Sequence, residues 1–82
     1  MIMAKIKIKL YGNLRHYTSD KEKIHYIDIK ESEKIPIAEI MQEIGIPQNE
    51  INIIFKNSNK VDIDEVAKKE DVIEILPVVG GG

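Results

Sequence analysis

The chain lacks cysteine, so neither a disulfide nor a thiolate–metal site can supplement its core. It lacks tryptophan, and one phenylalanine with three tyrosines makes up its whole aromatic content, which leaves packing to isoleucine and its aliphatic neighbours. It also lacks an excess of either charge. Twelve Lys and Arg against fourteen Asp and Glu give a net charge of −2, which is not the basic balance of a typical nucleic-acid binder. No apolar run approaches the roughly 20 residues needed to span a bilayer. Met1-Ile2-Met3-Ala4 leads straight into an alternating segment rather than a signal-peptide core. These absences favour a soluble, cytoplasmic protein that binds neither nucleic acid nor membrane. An apolar content of 43% is too high for a disordered chain, and 82 residues suffice for one domain only.

Isoleucine supplies the pattern. Lys5-Ile6-Lys7-Ile8-Lys9-Leu10 alternates strictly, which predicts a strand with Ile6, Ile8 and Leu10 inward and the lysines on the opposite face. Tyr11-Gly12-Asn13 breaks the alternation, and a wide polar connection with a helical turn near Leu14–Tyr17 precedes a second strand, Ile24–Ile29. Pro36 suits the first position of a helix carrying the apolar stripe Ile37, Ile40, Met41 and Ile44. Gly45 provides its left-handed C-cap, whereas Ile35 at the expected N-cap offers no side-chain acceptor. Ile51–Lys56 reads as a third strand, Asn57-Ser58-Asn59 as a turn and Lys60–Ile63 as a short fourth strand. A helical turn is expected over Asp64–Ala67, and a last strand over Val72–Leu76 that Pro77 ends. The order predicts an α+β fold with one main helix across one face of a sheet of four to five strands. Pairing of the first and last strands would make that sheet mixed, with the two terminal strands parallel and central.

Few residues offer chemistry of their own. His16 and His25 lack the further neighbours of a zinc site, and Asp62, Asp64 and Glu65 lack the spacing of a calcium loop. There is no phosphate-binding glycine loop and no nucleophile elbow. Intrinsic catalysis and a bound cofactor are therefore not expected. Both strand parities of Ile53-Ile54-Phe55 and of Ile73-Glu74-Ile75-Leu76 carry large apolar side chains, so apolar surface is expected on the face away from the helix. Phe55 and Leu76 are its candidate docking residues.

The remaining feature is the end of the sequence, Pro77-Val78-Val79-Gly80-Gly81-Gly82. A domain over 1–77 and a Gly-rich tail over 78–82 is the expected division. Glycines without Cβ atoms can thread a narrow channel, leaving a sterically bare carboxylate at Gly82. Terminal glycines alone are commonly no more than a frayed end.

Their setting adds to them. Tyr11-Gly12-Asn13-Leu14-Arg15 after the first strand, the helix from Ile37-Ala38-Glu39-Ile40 to Ile44-Gly45, and the ending from Asp71 through Pro77-Val78-Val79 to Gly82 resemble the MoaD/ThiS family of ubiquitin-like sulfur carriers along essentially the whole chain. The resemblance implies a β-grasp fold. It implies that Gly82 is adenylated by a ubiquitin-activating-type adenylyltransferase, which uses ATP, and is then converted to a thiocarboxylate by a sulfur donor. The sulfur would go to molybdopterin or to the thiazole of thiamin, through a molybdopterin synthase large subunit or a thiazole synthase. The protein would be a carrier, or the small subunit of a synthase-type complex, with Gly81, Gly80, Val79, Pro77, Leu76 and Phe55 contacting partners. Glu70 stands where the family usually has glycine, Val78 replaces a second proline, and Ile35 replaces a capping Thr or Ser. A protein modifier joined through Gly82 to target lysines shares the same first step and remains open, as does an interaction module with an inert tail.

Overall fold

Alternation at the start of the chain produces strand β1 (Met3–Leu10), with Ile6, Ile8 and Leu10 buried beneath a row of lysines on its other face. The computed structural model describes residues 3–18 and 24–78. After β1 a 3₁₀ helix over Gly12–Tyr17 sinks Leu14 completely into the core, so the expected helical turn exists and begins two residues early. Strand β2 (Ile24–Lys30) follows and runs antiparallel to β1, with Ile6 opposite Ile27 and Ala4 opposite Ile29.

The start of helix α1 (Ile37–Ile44) corrects the sequence reading. Pro36 is not the first helical residue but the N-cap, extended at ψ 142°, and Ile35 lies one residue further back. Ile35–Pro36 forms a short strand β3. The first helical amides are satisfied by main chain: Ile37 N–H donates to the Glu65 carbonyl at 2.9 Å and Ala38 N–H to that of Ile63 at 3.0 Å. Those two carbonyls do the work of the missing Ser or Thr. At the other end Gly45 takes φ +95°, and the N–H groups of Gly45 and Ile46 both donate to the Met41 carbonyl at 2.9 Å. The helix buries Ile37, Ile40 and Met41 and half-buries Ile44.

Beyond a 3₁₀ turn at Gln48–Glu50, strands β4 (Ile51–Lys56) and β5 (Asn59–Val61) form a hairpin whose two turn residues, Asn57 and Ser58, both have positive φ. The fourth strand is thus shorter than Lys60–Ile63, because Ile63 already belongs to the turn that caps α1. No helical turn forms over Asp64–Ala67. A tight turn closed by Glu65 N–H on the Asp62 carbonyl leads instead into β6 (Val66–Ala67), which pairs antiparallel with β3.

Strand β7 (Val72–Pro77) completes the main sheet, whose order is β2-β1-β7-β4-β5. β7 is parallel to β1, with Leu10 opposite Ile75, and antiparallel to β4, with Ile54 opposite Ile75. The terminal strands are central, and a mixed five-stranded sheet with one helix across it is the β-grasp arrangement. Ile73 and Ile75 are fully buried in a core shared with Ile6, Ile8, Leu14, Ile37 and Ile40. No helix among the described residues is long and apolar enough to cross a membrane.

The turn into β7 is tied by Asp71, the one buried charged side chain among the described residues. Asn57 Nδ2 donates to its Oδ1 at 2.9 Å and Lys68 N–H to its Oδ2 at 2.9 Å, while Asn57 Oδ1 accepts from Val72 N–H. Burial alone would raise the Asp71 pKa. The bonds from Asn57 and Lys68 and the nearby Lys68 and Lys56 ammonium groups outweigh it and hold the carboxyl below its usual value. Glu70, in the glycine position of the resembling family, sits at φ +67° and donates its N–H to the Lys5 carbonyl at 2.8 Å.

Glu70→Gly should stabilise the fold by roughly 0.5–1 kcal/mol, since the side chain strains a left-handed backbone. Denaturant unfolding checks this, and a less stable glycine variant contradicts it. A lowered folded-state pKa at Asp71 contributes stability that is complete above the unfolded value of about 4 and is lost as pH falls through the folded value. Asp71→Asn should cost about 2 kcal/mol at neutral pH, by setting an amide donor against donors, and should flatten the acid limb of a stability–pH curve.

Candidate functional site

Alternation along β7 divides its side chains between two surfaces. Ile73 and Ile75 face the helix, whereas Glu74 and Leu76 point the other way. Register then places Ile53 beside Leu76, and Phe55 and Lys9 on either side of Glu74. Ile53, Phe55 and Leu76 are half-buried on this outward face, where Phe55 lies diagonal to Leu76. Two of the predicted docking residues are therefore brought together, outside the core.

Pro77 has the opposite parity. It lies across from Ile51, and its ring seats against Gly12. A Cβ on Gly12 would come 2.8 Å from Pro77 Cγ, and Gly12 has φ +58°, so both space and backbone demand glycine there. Tyr11 N–H donates to the Ile75 carbonyl at 3.2 Å, and Tyr11 Oη–H to Glu74 Oε2 at 2.5 Å. On the other flank Val78 N–H donates to the Glu50 carbonyl at 3.1 Å, and Tyr17 Oη–H donates to Glu50 Oε1 at 3.0 Å. The bond from Tyr11 to the Glu74 carboxylate, with burial and the carboxylate's charge, raises the Tyr11 phenol above its usual pKa. Burial and then the Glu50 bond and charge do the same for Tyr17. Both phenols stay protonated at neutral pH, as donation to a carboxylate requires.

The chain is thus anchored through Val78, from the 3₁₀ segment on one side and from Glu50 on the other. Val79, Gly80, Gly81 and Gly82, the remaining predicted site residues, lie outside the described residues. The Tyr11–Arg15 motif signalled the first flank. The Glu50 carbonyl had no signal at all, because a backbone acceptor leaves no trace in residue identity.

His16 and Glu65 have local partners. His16 Nδ1 meets the Asn13 carbonyl, and its ring lies 4.2 Å from that of Tyr17. Glu65 pairs with Lys56 at 2.6 Å. Among the described residues no three His, Cys, Asp or Glu side chains are grouped to hold a metal ion.

The family model for the Mut7-C ubiquitin matches residues 3–80. The chain belongs to the Mut7-C ubiquitin family. No curated protein matches the sequence. Among solved structures, the HVO 2177 protein of Haloferax volcanii superposes with a TM-score of 0.69 at 13% identity, over 98% of this chain and 88% of that one. A Pyrococcus furiosus protein provisionally named molybdopterin converting factor, subunit 1, superposes with a TM-score of 0.65 at 20% identity, over 93% of this chain and 99% of its own. At such identities the likeness is one of fold, and it is the ubiquitin-like fold that the MoaD/ThiS resemblance implied.

Gly12→Ala should destabilise the protein by about 1–2 kcal/mol through left-handed strain and displace the Pro77 ring. A double-mutant cycle with Pro77→Ala separates the two effects. Pro77→Ala should recover part of the loss in the Gly12→Ala background, and strict additivity would show that the ring contact contributes nothing.

Proposed function

We propose that this protein is a ubiquitin-like sulfur carrier whose reactive group is the Gly82 carboxylate. The observation that carries the proposal is the root of the tail. β7 is a central strand, its last residues are fixed by Gly12, Tyr11 and Glu50, and an apolar strip lies alongside on the outward face. Anchoring through Val78 leaves four residues, Val79 to Gly82, as the arm. Fully extended, they reach about 13–14 Å. Membership of a ubiquitin family and the fold shared with a protein named as a molybdopterin converting factor subunit support this reading.

In the proposed cycle a Gly82 carboxylate oxygen attacks the α-phosphorus of ATP on an adenylyltransferase, and pyrophosphate leaves. A persulfide of the sulfur donor then attacks the acyl carbon, and AMP leaves. A second thiol cleaves the resulting acyl disulfide, supplying two electrons, so that the thiocarboxylate stays on Gly82 and a disulfide forms on the donor. The chain itself supplies no acid, base or metal to these steps, only a bare carboxyl group on a short arm. It acts as carrier or synthase small subunit, and a molybdopterin synthase large subunit is the favoured acceptor partner. Thiazole synthase is the alternative acceptor.

Pyrophosphate exchange into ATP, catalysed by the adenylyltransferase of the same organism, tests the carboxyl reading. The full chain should support exchange, and a chain ending at Gly80 should reduce it at least a hundredfold without loss of fold. Equal exchange by the truncated chain would rule out Gly82 as the reactive residue.

A further inference from the structure

Strand order leaves β2 and β5 outermost in the main sheet, but β5 has three residues, whereas β2 runs for seven in unbroken register with β1. In a strand the N–H and C=O of one residue point to the same side, and successive residues alternate. On β1, Lys7 N–H donates to the Asp71 carbonyl at 3.0 Å and the Lys5 carbonyl accepts from Glu70 N–H, so its odd-numbered residues turn towards β7. Its even-numbered residues turn towards β2, where Ala4, Ile6 and Ile8 meet Ile29, Ile27 and His25. The backbone groups of Ile24, Tyr26, Asp28 and Lys30 therefore point away from the sheet.

The last of these is closed. Lys30 N–H donates to Glu33 Oε1 at 3.1 Å, and the Lys30 carbonyl accepts from Glu33 N–H at 3.0 Å. The backbone groups of Ile24, Tyr26 and Asp28 have no partner among the described residues. Their side chains stand on the outward face, where Tyr26 is 47% exposed opposite Lys7 and Asp28 pairs with Lys5. A free edge with neither bulge nor proline is a template for another strand.

We infer that the edge of β2 pairs antiparallel with β2 of a second copy about a two-fold axis at Tyr26, joining the two sheets into one. Tyr26 then faces the partner's Tyr26 and Ile24 the partner's Asp28, each pair exchanging two backbone bonds. Self-complementarity selects a second copy as the occupant. This register uses every open donor and acceptor of the three residues and leaves none over. Shifting it to set Tyr26 against Asp28 would also set Ile24 against Lys30, whose groups Glu33 already holds. Shifting it the other way would leave Asp28 opposite a position before β2 begins. The central pair also brings two exposed tyrosine rings together on the outward face, an aromatic cross-strand contact. β7 and β4 lie beyond β1 from this edge, so pairing leaves the root of the arm free and does not depend on the carrier reading.

Sedimentation equilibrium of the full chain from about 10 µM to about 1 mM tests this, since an interface of one strand pair belongs to the small, weak end of the range. A monomer–dimer equilibrium is expected. Hydrogen exchange at the Ile24, Tyr26 and Asp28 amides should slow as concentration rises, while the amides of β5 keep their rates. Tyr26→Pro removes a donor that points away from β1, so the monomer should fold, as circular dichroism verifies, and dimerisation should weaken at least tenfold. Tyr26→Ala, which keeps the amide, should weaken it less, and an equal loss in the two variants overturns the backbone pairing. A monomer at every concentration overturns the inference, whether or not the edge accepts an extended peptide of another protein. So does a dimer that forms equally well with Tyr26→Pro. Should the proline variant fail to fold, exchange in the wild type decides alone, and a dimer with those three amides unslowed overturns the inference.

Discussion

Pairing of the first strand with the last is the interaction on which the rest of the structure depends. β7 has β1 on one side and β4 on the other, so its Ile73 and Ile75 sit at the middle of the core and their burial is complete. A parallel pair cannot be closed by a tight turn, and the whole chain between them acts as the crossover. The helix, the β4–β5 hairpin and the β3–β6 ribbon all lie in that crossover. Closure is long-range, so the contacts that secure the two ends of β7 weigh more than their number suggests. Asp71 and Asn57 secure its entry, and Gly12, Tyr11 and Glu50 secure its exit.

The same geometry links stability to the proposed role. A strand paired on both edges is a rigid base, and fixation through Val78 sets where the following residues begin. Without Pro77 on Gly12 and the Val78 bond to Glu50, the chain beyond β7 would start from an undefined direction. A short arm is useful to a partner only if its root is fixed, since each residue of slack adds conformations that binding must remove. Outward parity puts Leu76 on the apolar strip, two residues before Val78, the last residue so fixed.

Much of this was legible in the sequence, for reasons that differ by element. Strands with one buried face write themselves as alternation, and Ile6-Lys7-Ile8-Lys9-Leu10 and Ile27-Asp28-Ile29 do so plainly. The helix was legible from its stripe and from Gly45. Its start was not, because the donors of Ile37 and Ala38 are met by the carbonyls of Ile63 and Glu65, which are distant in sequence and carry no residue signature. Val66–Ala67 was misread as helical because two residues are too few for a period, and only β3 across the ribbon makes them a strand. Glu70 looked like a departure from the family's glycine, yet the left-handed turn is kept with a glutamate in it. At the candidate site, the sequence named Phe55, Leu76 and Pro77, and the structure shows only where they lie. Their division between two faces required the register.

The central claim is that the end of this chain carries activated sulfur. Intact-mass spectrometry of the native protein, isolated from its own cells under conditions that preserve thioacids, tests it most directly. The account predicts a species in which one oxygen of the Gly82 carboxyl is replaced by sulfur, with fragmentation placing the change on that residue. Lysine-linked conjugates of the chain with no thiocarboxylate form at any stage of growth would contradict it and make the protein a modifier instead.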